Sequence, residues 1–269
     1  MTESTFGFIG CGNMGGALAT AVSKTVKGSL ISLCDAFAAK AEEKAKACSA
    51  NVSNAQNIAA ECDYIFLGVK PQGFETLFEE IRPVLHERKR PFVLVSMAAG
   101  ISIARVRELA GCDCAIIRIM PNTPVSVGEG MILYAANELT TKEQIDTFCL
   151  SLAKAGKLDP LPEDKIDAAS ALSGCGPAFV YLFAEALADG AVECGLPRDK
   201  AMLYAAQTLL GAATLLGESG KHPGELKDAV CSPGGTTIAG VHALESSAFR
   251  AAAMNAVTAA YEKTLKLKK

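Results

Sequence analysis

The sequence predicts an α/β protein: a doubly wound parallel sheet in the N-terminal part, followed by an all-helical part. Three observations carry this. Short, continuous apolar runs alternate with helical stretches as far as about residue 160, the pattern of strands buried on both faces. A glycine-rich turn, Gly10-x-Gly12-x-x-Gly15, sits directly between the first such run and the first helix. Beyond Pro160 no strand-like run recurs, and the remaining segments are apolar with helix punctuation. The expected domains are residues 1–160 and 161–269.

In chain order, Phe6-Gly7-Phe8-Ile9 reads as a buried strand and Ala17 to Val26 as its following helix. Leu30 to Cys34 is a second strand, leading into an Ala/Glu/Lys helix from Ala36 to Ala47. Asp63 to Val69 is a third, ended by Lys70-Pro71; Phe92 to Val95 and Ala115 to Ile119 are two more. Ile166 to Leu172 is helical, and Gly174-Cys175-Gly176-Pro177 breaks it. The next helix runs from Pro177 to Cys194, with Pro at its start and Gly195 just past its end. Val180, Phe183 and Leu187 mark an apolar stripe on it, while Ala184, Ala186, Ala188 and Ala191 permit close helix approach. Leu196-Pro197 opens a helix that reaches about Leu216, and Ile238 to Leu244 and Phe249 to Leu267 close the chain. So apolar a helical tail needs cover, from a second copy or from its own sheet domain.

Composition excludes several classes. With 50% hydrophobic and 20% charged residues, the 269-residue chain has ample material for a core and no disordered signature. A net charge of -3 with no long basic run argues against nucleic acid; the basic Lys263 to Lys269 stretch reads as a solvated helix end. No apolar stretch of membrane-spanning length is evident, and Met1 to Thr5 lacks a basic or apolar leader, so a cytoplasmic protein is expected. The ten cysteines contain no Cys-x-x-Cys and the three histidines are scattered, so neither a metal site nor a disulfide framework is expected.

Two segments carry the chemistry. In the first, Gly10 permits the tight turn, Gly12 lets backbone approach a pyrophosphate, and Gly15 lets helix and strand pack closely. Asp35 lies 20 residues beyond Gly15, where a carboxylate accepts from a ribose 2′-OH and repels a 2′-phosphate; capping of the following helix is an equally good local reading. Val69-Lys70-Pro71 and Ala98-Ala99-Gly100 follow strands at the edge where open α/β sheets bind ligands, and the small Ala98 and Ala99 leave room for a nicotinamide. Met120-Pro121-Asn122-Thr123-Pro124 ends another strand, with Asn122 and Thr123 within reach of the same crevice. In the second segment, Ser232-Pro233-Gly234-Gly235-Thr236-Thr237, two glycines and two hydroxyls precede a helix start. That arrangement suits a carboxylate or phosphate, and equally suits a Thr cap.

The ordered blocks resemble the pyrroline-5-carboxylate reductase family. The resemblance rests on Gly7-Phe8-Ile9-Gly10-Cys11-Gly12-Asn13-Met14-Gly15, Val69-Lys70-Pro71 and Met120 to Pro124, and continues through Leu172 to Ala178, His222 to Asp228 and Cys231 to Ile238. It implies a Rossmann domain binding NADPH or NADH, and a helical domain for substrate binding and dimerisation. It further implies a homodimer, with dimers associating into rings, and an active site that includes residues of the partner. The reaction it implies is hydride transfer to the imine carbon of 1-pyrroline-5-carboxylate, giving L-proline.

Carried onto this chain, the cofactor contacts are Gly10, Cys11, Gly12, Asn13, Met14, Gly15, Asp35, Asn54, Val69, Lys70, Pro71, Ala98 and Ala99. The substrate contacts are Val230, Ser232, Gly234, Gly235, Thr236, Thr237 and Cys175, with Thr237 also approaching the ring nitrogen as the catalytic candidate. Two positions depart from the family pattern. Cys175 stands where Ser is common, and Asp35 where NADPH-preferring members show Ser or Thr, which leaves NADH at least tolerated. A β-hydroxyacid dehydrogenase would need a catalytic Lys on a helix of the second domain, a requirement that Lys165 and Lys200 meet poorly. A dinucleotide-binding regulator without turnover would not need both loops.

Overall fold

A computed structural model describes residues 4–267 of the chain. Met1 to Glu3 and Lys268-Lys269, the ends of two stretches read above, lie outside the described residues. The elements run β1 (Phe6–Ile9), α1 (Asn13–Val22), β2 (Ile31–Cys34), α2 (Ala38–Cys48), β3 (Asn51–Val52), α3 (Ala55–Glu61), β4 (Tyr64–Leu67), α4 (Phe74–Glu87), β5 (Val93–Ser96) and α5 (Ile103–Ala110). They continue with β6 (Ala115–Pro121), β7 (Gly130–Ala136), α6 (Lys142–Ser151), β8 (Gly156–Pro160), α7 (Glu163–Ser173), α8 (Gly176–Glu193), α9 (Arg198–Ser219), α10 (Pro223–Ala229), α11 (Thr236–Ser246) and α12 (Phe249–Leu267).

The strands form one 8-stranded sheet in the order β3-β2-β1-β4-β5-β6-β7-β8. All neighbours pair parallel except β6 with β7. Each face carries its own core. Phe8, Phe66, Leu18, Val22 and Phe148 pack on one side, with Phe8 stacked on Phe66 at 4.4 Å between ring centroids. Ile65, Leu67, Phe74, Phe78, Ile81 and Ile116 pack on the other. Burial on both faces is why β1, β4 and β5 read as unbroken apolar runs.

β3, β7 and β8 were not anticipated. β3 has two exposed residues, and β8, Gly-Lys-Leu-Asp-Pro, is half polar. β7, by contrast, lies inside the sheet, paired antiparallel with β6 and parallel with β8. Strands do end at Pro160, as the sequence indicated.

By contacts the chain forms two compact units: residues up to Gly174 with the end of α12 from Tyr261, and Cys175–Ala260. The first unit thus extends beyond the boundary near residue 160. α7 packs on β7 and β6, burying Ile166, Asp167 and Ala171, so it belongs with the sheet. Gly174 and Cys175 interrupt the helix for two residues only, and both keep right-handed helical angles. Taken together, Glu163–Glu193 is long and apolar enough to cross a membrane, a stretch the sequence reading did not pick out.

In the second unit, the core is small: Ala188 of α8 with Ala201 and Ala205 of α9, where small side chains let the two helices approach. Of the alanines expected to do this in α8, Ala188 is fully buried and Ala191 packs against it. The stripe of Val180, Phe183 and Leu187 is covered only in part within the unit: Phe183 packs against Phe249 at 5.4 Å between ring centroids, while Val180 is 49% and Leu187 38% exposed. Tyr181, Leu182, Leu203, Leu210 and Met254 are exposed as well.

Candidate functional site

The strand order reverses between β1 and β4, and the crevice at their carboxyl ends is where open α/β sheets bind ligands. The glycine turn lies there. Gly10 has φ +103, and a Cβ on it would meet the Gly68 carbonyl carbon at 2.6 Å. Gly15 lies so close to the turn that its Cβ would come within 2.0 Å of Gly10 O. Around Gly12, by contrast, a Cβ would meet nothing within 4 Å. The first and third glycines are therefore required by the protein's own packing, while the second leaves open space above the start of α1. That is the cradle a pyrophosphate needs, with the N–H groups at the start of α1 beneath it. Sequence reading missed Gly68, which donates its N–H to Ile9 O at 2.7 Å and closes the crevice floor. Its signal was there, a glycine directly after a strand.

Asp35 is half-buried beside the same turn. Its Oδ2 accepts from Cys11 N–H at 2.7 Å and its Oδ1 from Phe37 N–H at 2.9 Å. The N-cap of α2 is Phe37, so Asp35 does not cap that helix directly. It instead ties the glycine turn to the end of β2, with lone pairs left on both oxygens for a ribose hydroxyl. Burial, with the negative charge of Asp35 adding to it, pushes the Cys11 thiol up to about 11, and its Sγ donates to Cys34 O at 3.4 Å. At neutral pH Cys11 is a small apolar wall of the turn, not a thiolate.

Asn13 and Met14 open α1, Asn13 exposed and Met14 packed against the core. Asn54 is exposed and caps α3 by accepting from Asn57 N–H at 2.7 Å. Val69 packs on the second core, and the exposed Lys70 begins a short helical turn at Pro71–Gly73. Ala98 is buried, whereas Ala99 and Gly100 (φ +77) project from the turn after β5.

Asn122 has a structural task. It donates to Ser173 O at 2.9 Å and accepts from Met131 N–H at 2.9 Å, bracing α7 and β7 instead of reaching for a ligand. Sequence reading also missed a buried charge cluster. Arg118 of β6, 3% exposed, donates to Asp167 at 2.8 Å and to Glu163 at 3.2 Å. Nothing in an apolar strand pattern betrays which carboxylates a lone Arg will find.

In the second unit, the loop after α10 turns at Gly234 (φ +69), and Gly235 N–H bonds Ser232 O at 3.0 Å. Gly235 is the N-cap of α11, and it has no side chain with which to cap. Thr236 and Thr237 are already inside the first turn, two residues earlier than the expected helix start at Ile238. The Thr-cap reading is therefore wrong. The α11 N-terminus presents its N–H groups beside two exposed hydroxyls, a site for one anionic group. Val230 and Ser232 are exposed on this loop, and Cys175 is half-buried at the start of α8. Lys165 and Lys200, the lysines a hydroxyacid dehydrogenase would require, are exposed, and Lys165 pairs with Asp164 at 3.2 Å. No cluster of three or more metal-ligating side chains occurs among the described residues.

Two family models match separate parts of the chain. A family model described as pyrroline-5-carboxylate reductase dimerisation matches residues 163–267, and one described as NADP oxidoreductase coenzyme F420-dependent matches residues 5–100. The chain is 41% identical to a pyrroline-5-carboxylate reductase of Arabidopsis thaliana, over 97% of this chain and 94% of that one. A solved pyrroline-5-carboxylate reductase from Coxiella burnetii superposes with a TM-score of 0.92 at 31% identity, covering 100% of both chains. A Plasmodium falciparum pyrroline carboxylate reductase with NADP bound gives 0.85 at 32% identity, again over 100% of both.

Proposed function

The chain belongs to the pyrroline-5-carboxylate reductase family, and from that membership we propose how it reduces 1-pyrroline-5-carboxylate to L-proline with NAD(P)H. The observation that carries the assignment of roles is the α11 N-terminus, uncapped by any side chain of its own and flanked by Thr236 and Thr237. There the N–H groups after Gly235 hold the substrate carboxylate. Ser232, Gly234 and Val230 shape the loop, and Cys175 borders it as a weaker hydrogen-bond partner than Ser would be. Thr237 hydrogen-bonds the ring nitrogen.

Cofactor binding falls to the first unit. Gly10 to Gly15 cradle the pyrophosphate, Asp35 and Asn54 take ribose hydroxyls, and Val69-Lys70-Pro71 with Ala98-Ala99 line the way to the nicotinamide. When bound, the reduced nicotinamide supplies a hydride to the imine carbon. The chain's own residues orient the two reactants and shield them from water, and no His/Asp or Ser/His pair is required of them. A threonine hydroxyl is too weak an acid to protonate an imine at neutral pH, so Thr237 positions the nitrogen, which enters already protonated.

Domain roles follow the sequence division: dinucleotide binding before residue 160, substrate binding and self-association after it. The uncovered apolar face of α8 and α9 is met by a second copy, giving a homodimer able to build a ring. That same pairing accounts for the apolarity of Glu163–Glu193 without a membrane. Ten free thiols suit the reducing cytoplasm.

The test is direct. Adding pyrroline-5-carboxylate should oxidise both NADPH and NADH, with kcat/KM for NADH at least equal to that for NADPH because of Asp35. A strong NADPH preference would remove Asp35 from the ribose site; oxidation of neither coenzyme would overturn the function.

A further inference from the structure

The buried Arg118 cluster has no part in the chemistry above, yet it neighbours the entrance and bonds the exit of the turn proposed to carry the nicotinamide. At the entrance, Ser96, the last residue of β5, is the register partner of Arg118 on β6. Strand alternation puts Leu94 and Ile116 on the second core, so Ser96 and Arg118 lie side by side on that same face. At the exit, Ile103, the first residue of α5, donates its N–H to Glu163 Oε1 at 2.8 Å. That same oxygen accepts from Arg118 Nη1 at 3.2 Å, while Arg118 Nη2 is fixed by Asp167 at 2.8 Å. Hydrogen bonds thus close a ring from β6 through α7 to the start of α5, and the turn of Ala98, Ala99 and Gly100 spans it.

We infer that Glu163, fixed by Arg118, is a positioning residue for hydride transfer: it anchors the exit of the Ala98–Gly100 turn and thereby sets the depth of the nicotinamide. The inference rests on the proposed contact of that turn with the cofactor. Energetics favour a positioning role over a purely structural one. A buried ion pair is seldom more stabilising than apolar side chains of the same volume. Arg118 is costlier still, because its Nε is buried without a hydrogen-bond partner among the described residues. What the cluster supplies is a fixed distance between a helix end and a strand. Reactions between two bound molecules are sensitive to displacements of about 1 Å, which cost up to about a hundredfold in rate.

Glu163 is 31% exposed and Arg118 keeps Asp167 as a partner when it is replaced, so Tm and circular dichroism are measured on each variant beside its kinetics. Glu163→Ala removes the acceptor for Ile103 N–H, and kcat should fall about tenfold, with a smaller change in KM for pyrroline-5-carboxylate. Glu163→Gln keeps an acceptor oxygen and should restore kcat to within about twofold of the unsubstituted enzyme. Ile103→Pro removes the donor at a helix position that accepts Pro, and should reproduce the loss seen with Glu163→Ala. Full activity in Glu163→Ala with a native circular-dichroism spectrum, or equal losses in the Ala and Gln variants, would overturn the inference. Ala99→Val separates it from its premise. A raised KM for NAD(P)H confirms that the turn meets the cofactor. A silent Ala99→Val removes that contact, and the positioning role with it.

Discussion

At the scale of single residues, the three glycines of the first turn look alike in sequence and differ in structure. Gly15 is fixed by the Gly10 carbonyl 2.0 Å from where a Cβ would stand, whereas Gly12 faces open space. Gly15→Ala should therefore strain the backbone and lower Tm by about 5 °C or more, in line with overpacking costs of about 1–3 kcal/mol. Gly12→Ala should leave Tm unchanged, since its φ of -65 suits any residue, but raise KM for NAD(P)H by about tenfold or more. Thermal melts alongside coenzyme titrations check both; an unchanged KM in Gly12→Ala would remove the pyrophosphate from this turn. Gly12 stands beside the open space that a close ligand approach requires, and the packing reasons for Gly10 and Gly15 were legible because strand, turn and helix each need a glycine there. Gly68, Arg118 and the bracing by Asn122 were not. Each depends on a partner 45 or more residues away, as Arg118 and Glu163 show, or on a packing contact between two turns.

At the scale of elements, the central strands were read correctly because burial on both faces writes continuous apolar runs into them. β3 and β8 escaped because edge strands are short and half polar, and their identity comes from a neighbour's ladder. α11 was found, but its start was placed two residues late: Thr after glycines is a common cap, and here Gly235 takes the cap position instead. That shift makes Thr237 the second residue of the helix, with its N–H among those lacking an intrahelical partner. Thr237→Ala keeps that N–H and loses only the hydroxyl. It should lower kcat/KM for pyrroline-5-carboxylate by about tenfold, or about 1.4 kcal/mol, while leaving coenzyme binding unaltered. Wild-type kinetics in the folded variant would limit this helix start to backbone contacts.

At the scale of the whole molecule, the helical unit leaves a broad apolar face exposed. Leu182 is 68% exposed and Tyr181 63%, on an α8 whose only fully buried residue is Ala188. Light scattering should give a solution mass at least twice the chain's 28.0 kDa. Leu182→Glu should shift it toward the monomer and lower activity in step, because a second copy is proposed to cover this face. A monomeric, fully active enzyme would contradict that proposal. The most direct measurement of the central claim follows the hydride itself. Pyrroline-5-carboxylate is supplied with NADH or NADPH carrying deuterium at both C4 positions, and the product is weighed by mass spectrometry. Proline one mass unit heavier, formed mole for mole with oxidised coenzyme, is the predicted result. Proline without deuterium, or coenzyme consumed without proline, would contradict it.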